Sequence, residues 1–284
     1  MIFCTDACRE LLDRLVPGET LTCRVYSVHS KAMNLEDEAG HIITCLWESG
    51  SLVPLGFCAP RPQNARWQRG DTVLLGRETT GDFVFTEATR AHALGLAPGT
   101  HCETAAQRGS MLRALCARRP EGGMAWLLSE SVWALPAPYG PLDAAQREAG
   151  RRVSEFLTAM TRGVPDAQWP GVLGLGIGLT PAADDFVLGL LAALRWRGHP
   201  LEKPLTDYVQ RYRRTTTLIS SEMLRHGAEG RYAQHILRLF SALEQGADPV
   251  HCLDDFALHG HSSGMDALFG VYRGLLLADG GAPD

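Results

Sequence analysis

The sequence is short of several things that would settle its class early. Its eight cysteines stand at 4, 8, 23, 45, 58, 102, 116 and 252, and no two form Cys-x-x-Cys. That absence removes the zinc-ribbon spacing. No long basic run occurs and the formal net charge is −5, so nucleic acid is not the expected partner. The longest largely apolar run, 186–194, is far below the ~20 residues of a membrane span. The N-terminal stretch carries Asp6, Arg9 and Glu10, where a secretory signal needs a basic start and an unbroken apolar core. These absences together lead us to expect a cytoplasmic protein with no membrane partner and reduced thiols. Cys4 and Cys8 fall one helical turn apart and read as packing residues. No long internal repeat is evident.

Glycine is abundant, thirty residues of 284, against a usual ~7%. The length favours two domains, and the pattern of elements divides the same way. The spacing predicts a short amphipathic helix over 1–16, then strands over 20–28 and 41–47. Segments 71–78 and 82–88 flank Thr79-Thr80-Gly81 and read as a hairpin, with 50–70 as loop. From about residue 100 the character turns helical. A helix is expected at 110–119, and 136–141 is a proline-rich connector. Successive helices then end on Gly163, Gly198, Gly227 and Gly246, with 205–227 read as one helix, and shorter ones follow at 250–259 and 263–278. The fold class is α+β: a β-rich part, 1–100, and a mainly α-helical part, 101–284.

The most informative stretch is GLGIGLTPAADD, 174–185. Thr180 suits an N-cap and Pro181 the first helical position. Gly174, Gly176 and Gly178 would let a ligand approach the exposed N–H groups of that helix start, an anion-binding arrangement. The glycine spacing is neither the Rossmann fingerprint nor a Walker loop, since no lysine follows. Asp184 and Asp185 complicate the picture. As plain first-turn residues they favour the helix dipole. As functional residues they would hold a Mg²⁺ ion or the N–H groups of a substrate.

A second stretch, GHSSGMD (260–266), repeats the pattern G-x-[Ser/Thr]-x-x-x-Asp of GLTPAAD (178–184). Ser262 or Ser263 would cap its helix, Gly264 adds freedom, and Asp266 takes the place of Asp184. If the two motifs are related, two helix starts of one chemistry could face one ligand. His261 is then a candidate proton donor, or else an exposed turn residue. Residues 260–264 formally fit G-x-S-x-G, but a nucleophile elbow needs a preceding strand, and 250–259 reads as helix. Between the motifs, five of the seven residues Thr215–Ser221 carry hydroxyls, unusual inside a helix. Thr217 belongs to this stripe, which serves either a small polar ligand or helix packing.

The glycine–Thr-Pro–Asp-Asp motif, the hydroxyl-rich stretch and the late glycine–Ser-Ser–Gly–Asp motif together resemble the AllH-type subunit of oxamate carbamoyltransferase. The segment RVYSVHSKAMNLEDEAGHIITCLW, with its Asn34, is similar to that family's opening. The resemblance implies substrate-binding roles for Gly174, Gly176, Gly178, Thr180, Asn34, Thr217, Ser262, Ser263 and Gly264. It implies catalytic roles for Asp184, Asp185 and Asp266, to which the reading of the second helix start adds His261. It also implies a carbamoyl transfer among oxalurate, phosphate, oxamate and carbamoyl phosphate in purine or allantoin breakdown, with FdrA-like and other carbamoyltransferase subunits as partners. The family usually carries Ser-Gly where Ala182-Ala183 stand here.

Three readings follow. The chain is a carbamoyltransferase subunit acting on a small anionic amide. Alternatively, it is a non-catalytic anion-binding scaffold or regulatory subunit. Thirdly, it is a metal-dependent enzyme using Asp184, Asp185 and Asp266. No cofactor is demanded, Mg²⁺ is the ion these residues would admit, and no metal ligands are assigned.

Overall fold

The computed structural model describes residues 1–47, 51–62, 67–117, 123–124 and 144–280. The chain divides into two compact units, Met1–Gly95 with Tyr232–Gln234, and Leu96–Arg231 with His235–Asp284. The first is a sheet unit and the second is helical, an α+β architecture. The expected connector 136–141 lies outside the described residues.

Nine strands of the described residues form the sheet: β1 (Ile2–Phe3), β2 (Asp6–Cys8), β3 (Thr20–Val28), β4 (Ala32–Asp37), β5 (Ile42–Leu46), β6 (Gly56–Cys58), β7 (Thr72–Arg77), β8 (Phe83–Phe85) and β9 (Arg90–His92). Their order is β1-β8-β7-β3-β4-β5-β6-β2-β9. The antiparallel core β7-β3-β4-β5 follows the alternation of the sequence. Phe57, Phe83 and Phe85 meet edge-on in its interior, with ring centroids 5.1–5.2 Å apart for the pairs made by Phe57.

Three expectations fail here, each because long-range pairing outweighs local pattern. Residues 1–16 are not one helix: α1 spans only Arg9–Arg14. The residues before it pair with β8, β6 and β9, and buried Asp6 accepts from Arg90 at 2.8 and 2.9 Å. That guanidinium holds the Asp6 carboxyl down to about 2. Cys4 and Cys8 therefore do not share a helical face. β7 and β8 do not form a hairpin but pair in parallel. Glu78 at φ 54° turns the chain sharply, and Gly76 and Gly81 approach too closely for side chains. The chain thereby doubles back before β8 begins. The stretch 50–70 is not all loop, because β6 lies within it.

The helical unit contains α2 (Ala105–Ala117), α3 (Ala144–Thr161), α4 (Ala182–Trp196), α5 (Glu202–Tyr212), α6 (Leu218–Ala228), α7 (Gln234–Glu244), α8 (Val250–Leu258) and α9 (Ser263–Ala278). The expected helix 205–227 is broken between α5 and α6. A 3₁₀ turn occupies Arg213–Thr215, and Thr217 caps α6 by accepting from Ser220 N–H at 3.2 Å. Hydroxyls that compete for backbone groups end a helix rather than continue it. The stop after α6 is Gly230 at φ 82°, while Gly227 is buried within the helix.

The centre of this unit is the α4–α9 pair, nearly all apolar and buried. Glycines let the two backbones touch. A Cβ at Gly189 would collide with the Ala267 carbonyl, and one at Gly270 with the Phe186 carbonyl. One at Gly274 would lie 2.6 Å from Ala193 Cβ.

At the far end of the pair, four charges lock the helix C-termini. Glu103, whose carboxylate is fully buried, bonds Arg108 and Arg197 at 2.8 Å each. Asp279 completes the box by pairing with Arg197 at 2.7 Å and with Arg108. Removing one member of a buried network leaves charge uncompensated. Glu103→Ala is expected to lower unfolding stability by about 3 kcal/mol, read from the urea midpoint at unchanged m-value.

Candidate active site at the paired helix starts

The glycine loop reaches α4 through a fixed approach. Phe156, Trp169 and Tyr208 pack their rings together. Tyr208 then uses its hydroxyl to donate to Pro170 O at 3.3 Å and to accept from Val172 N–H at 3.2 Å. Gly174, Gly176 and Gly178 all have positive φ (86°, 124° and 98°), backbone that other residues rarely adopt. A Cβ at Gly176 would stand 2.5 Å from Ala182 N, so the loop lies directly on the helix start.

That closeness changes the expected chemistry. Pro181, not Thr180, occupies the cap position, and no side chain caps the helix. Ala183 N–H donates to Leu175 O at 3.0 Å, and Asp184 N–H to Pro181 O at 2.9 Å. The loop's own carbonyl thus takes up an N–H that an anion would have used. Ala182 and Ala183 are buried beneath it.

Thr180 instead reaches across to the second motif. Its hydroxyl and that of Ser263 are 2.7 Å apart. The two G-x-[Ser/Thr]-x-x-x-Asp stretches therefore meet in space, at the starts of α4 and α9. Ser262 is the cap position of α9, again without a side-chain cap bond, and Gly260 turns the chain before it at φ 69°. Gly264 packs against the Phe256 backbone of α8, where a Cβ would collide with the carbonyl. The helix α8 ahead of Gly260 excludes the strand that a nucleophile elbow requires.

The three aspartates brought together here differ sharply in their partners. Asp184 is saturated: it accepts from Gly174 N–H at 2.7 Å, Thr216 Oγ1 at 2.5 Å and Ser220 Oγ at 2.6 Å. Burial raises its pKa and these three donors pull it back. The carboxylate thereby ties the glycine loop to the hydroxyl-rich stretch. Thr217 adds a bond to Leu179 O. Thr216 and Ser220 were visible in sequence only as part of a polar stripe, and this is their use.

Asp185 and Asp266 are not saturated. Asp185, 8% exposed, lies beside the Ser263 and Thr180 hydroxyls, which favour its charged form, yet its Oδ2 has no partner. Asp266, 0% exposed, accepts from Met124 N–H at 2.5 Å, and its Oδ2 is likewise unpartnered. Burial pushes Asp266 up to about 7. Burial first, and then the nearby Asp266 charge, raise Asp185 well above the usual carboxylate range. Met124 is a partner no local pattern announces. Two orphaned, buried carboxylate oxygens at one place are costly and call for a hydrogen-bond donor.

The remaining sequence candidates are placed differently. His261 is an exposed turn residue. Asn34 lies in the sheet unit, where it donates to Ser27 Oγ and accepts from Thr44 Oγ1, both at 3.0 Å. Among the described residues no group of three His, Cys, Asp or Glu is arranged to hold a metal ion. Asp184, which the metal reading needs, already has its donors.

Over residues 172–275 the chain matches the family described as oxamate carbamoyltransferase subunit AllH. The match takes in the glycine loop, both aspartate motifs and the hydroxyl-rich stretch between them, while segment 24–47 with Asn34, on which the resemblance also rests, lies outside it. The matched residues include everything that builds the acidic site apart from Met124. No solved structure matches the chain. Among the described residues no helix is long and apolar enough to cross a membrane.

Proposed function

We propose that this chain is a subunit of an oxamate carbamoyltransferase, and that its site at the starts of α4 and α9 binds the carbamoyl or amide end of a small anionic amide. The observation that carries the reading is the pair of unpartnered oxygens on Asp185 and Asp266, which need N–H or O–H donors. Oxalurate, oxamate and carbamoyl phosphate each carry amide N–H groups beside an anionic end. The two carboxyls pair with the amide group, and Thr180 and Ser263 flank Asp185. Catalysis by this site is chiefly positioning of the reacting carbonyl. The anionic end of the substrate is held elsewhere, because the α4 start is already occupied by Leu175 O. FdrA-like and other subunits of the assembled enzyme are the expected source of that contact. Purine or allantoin breakdown in the cytoplasm is the setting we propose. Mg²⁺ then belongs with the phosphorylated substrate rather than with Asp184.

The scaffold reading draws support from the same occupied helix start, since an anion-binding fold that has lost its anion would look alike there. Asp185→Asn separates the two. In the assembled enzyme we expect turnover to fall by at least about a hundredfold with assembly intact, as for loss of a positioning contact. Unchanged turnover with normal assembly would favour the scaffold.

A further inference from the structure

We propose that Asp185 and Asp266 form a carboxyl–carboxylate dyad for a primary carboxamide, one accepting its N–H and the other donating O–H to its C=O. The choice of ligand rests on the carbamoyltransferase reading, and the proposal deepens it. The geometry is that of two anchored carboxylates. Asp185 lies beside the Thr180–Ser263 hydroxyl pair, which favours its charged form and whose mutual bond of 2.7 Å leaves one hydroxyl proton for it. Asp266 is fixed at Oδ1 by Met124 N–H. Each presents a single buried oxygen with no partner.

The charges around the pair decide its protonation. From α4 the neighbours are Asp184 and Asp185 themselves, and from α9 Asp266. Thr180, Ser262, Ser263 and Met124 supply neutral donors only. Among the described residues no cationic side chain pairs with any of the three aspartates. Two neighbouring buried carboxyls without a cation cannot both ionise, so they retain a proton between them. One proton on two carboxyls gives one donor and one acceptor at the same place. A –CO–NH₂ group offers the complementary acceptor and donor. A second carboxylate offers only acceptors and adds repulsion. The dyad therefore selects an amide over the corresponding acid, since a site that needs a donor rejects a ligand without one.

The test uses the full chain, with oxamate and oxalate as probes in calorimetric titrations between pH 5.5 and 9. Oxamate is expected to bind at least about tenfold more tightly than oxalate at pH 6. Its affinity should fall by up to about tenfold per pH unit once the shared proton is lost. Asp266→Asn keeps a permanent N–H donor at that position, and its profile should be flat. A second measurement needs no ligand. Infrared difference spectra at pH 6 should show a protonated carboxyl in the wild type that each of Asp185→Asn and Asp266→Asn shifts and that the double variant removes. Absence of that signal overturns the dyad whatever the titrations give. Equal binding of oxamate and oxalate, or a pH-independent wild-type affinity, overturns amide selection while leaving the transferase reading standing. The infrared signal without binding of oxamate, or of formamide as a minimal carboxamide, overturns the ligand assignment and the transferase reading with it.

Discussion

Asp266→Asn is expected to melt at a higher temperature than the wild-type chain at pH 8, while losing the pH dependence of ligand binding. An unfolded chain ionises this carboxyl near the ordinary value of 3.8, whereas the folded chain keeps the proton up to about 7. Between those values the native state binds more protons than the unfolded one, so stability falls as pH rises. Above 7 the whole penalty is present, and below about 4 none of it is. Asparagine carries no such penalty. Its Oδ1 can still accept from Met124 N–H, and its amide can donate to the orphaned Asp185 oxygen. We expect a gain on the order of 2–3 kcal/mol at pH 8 that shrinks toward zero at pH 4, or roughly 5–10 °C in melting temperature. Asp185 contributes with the same sign, so the wild type itself should lose stability from pH 5 to 8. A variant that is destabilised at pH 8, or equally affected at all pH values, would show that Asp266 is a structural residue. Stability gained on removing a group marks a site that is strained for function.

Gly270→Ala should be among the most damaging single-methyl additions to the helical unit. In an ordinary helix interior, Gly→Ala stabilises by up to ~1 kcal/mol. Here the added Cβ would collide with the Phe186 carbonyl and approach Leu190 N to 2.8 Å. Neither atom belongs to a flexible side chain, so the α4 and α9 backbones must separate. Overpacking of this kind costs about 3 kcal/mol or more, or about 10 °C in melting temperature. Gly109→Ala in α2 is the matched control. Its Cβ would meet only the flexible end of Arg113, at 3.3 Å, and a gain of up to about 1 kcal/mol is expected. Circular dichroism melts of the two variants should move in opposite directions. If both move alike, close backbone contact is not what holds the pair together.

The contrast between those glycines also shows what the sequence could and could not reveal. Strands β3, β5 and β7 and helices α3, α4, α8 and α9 follow from local periodicity and glycine stops. The repeated G-x-[Ser/Thr]-x-x-x-Asp pattern was visible too, and so were Asp185, Asp266, Thr180 and Ser263. Their meeting was not, because the Thr180–Ser263 bond spans a separation of 83 residues that no local rule addresses. The same is true of Met124 N–H on Asp266 and of β2, whose partners lie in β6 and β9. Asp184 and Asp185 are adjacent and chemically identical in sequence. Only the position of Thr216, Ser220 and Gly174 N–H makes one saturated and leaves the other open. The helix contact has a legible sign in Gly270-x-x-x-Gly274, which places two small residues on one helical face.

The loop over α4 has a consequence for how this chain can vary. Gly174, Gly176 and Gly178 have backbone angles that other residues adopt only under strain, whereas the intervening positions contribute chiefly their backbone. Leu175 supplies a carbonyl, and Leu179 does the same for Thr217. Ile177 leaves its side chain 82% exposed. Tolerance to substitution should therefore alternate with a period of two in a segment that is neither strand nor helix. Drift there is confined to side chains that face outward, so the loop's outer surface can change while the acidic site beneath it keeps its shape.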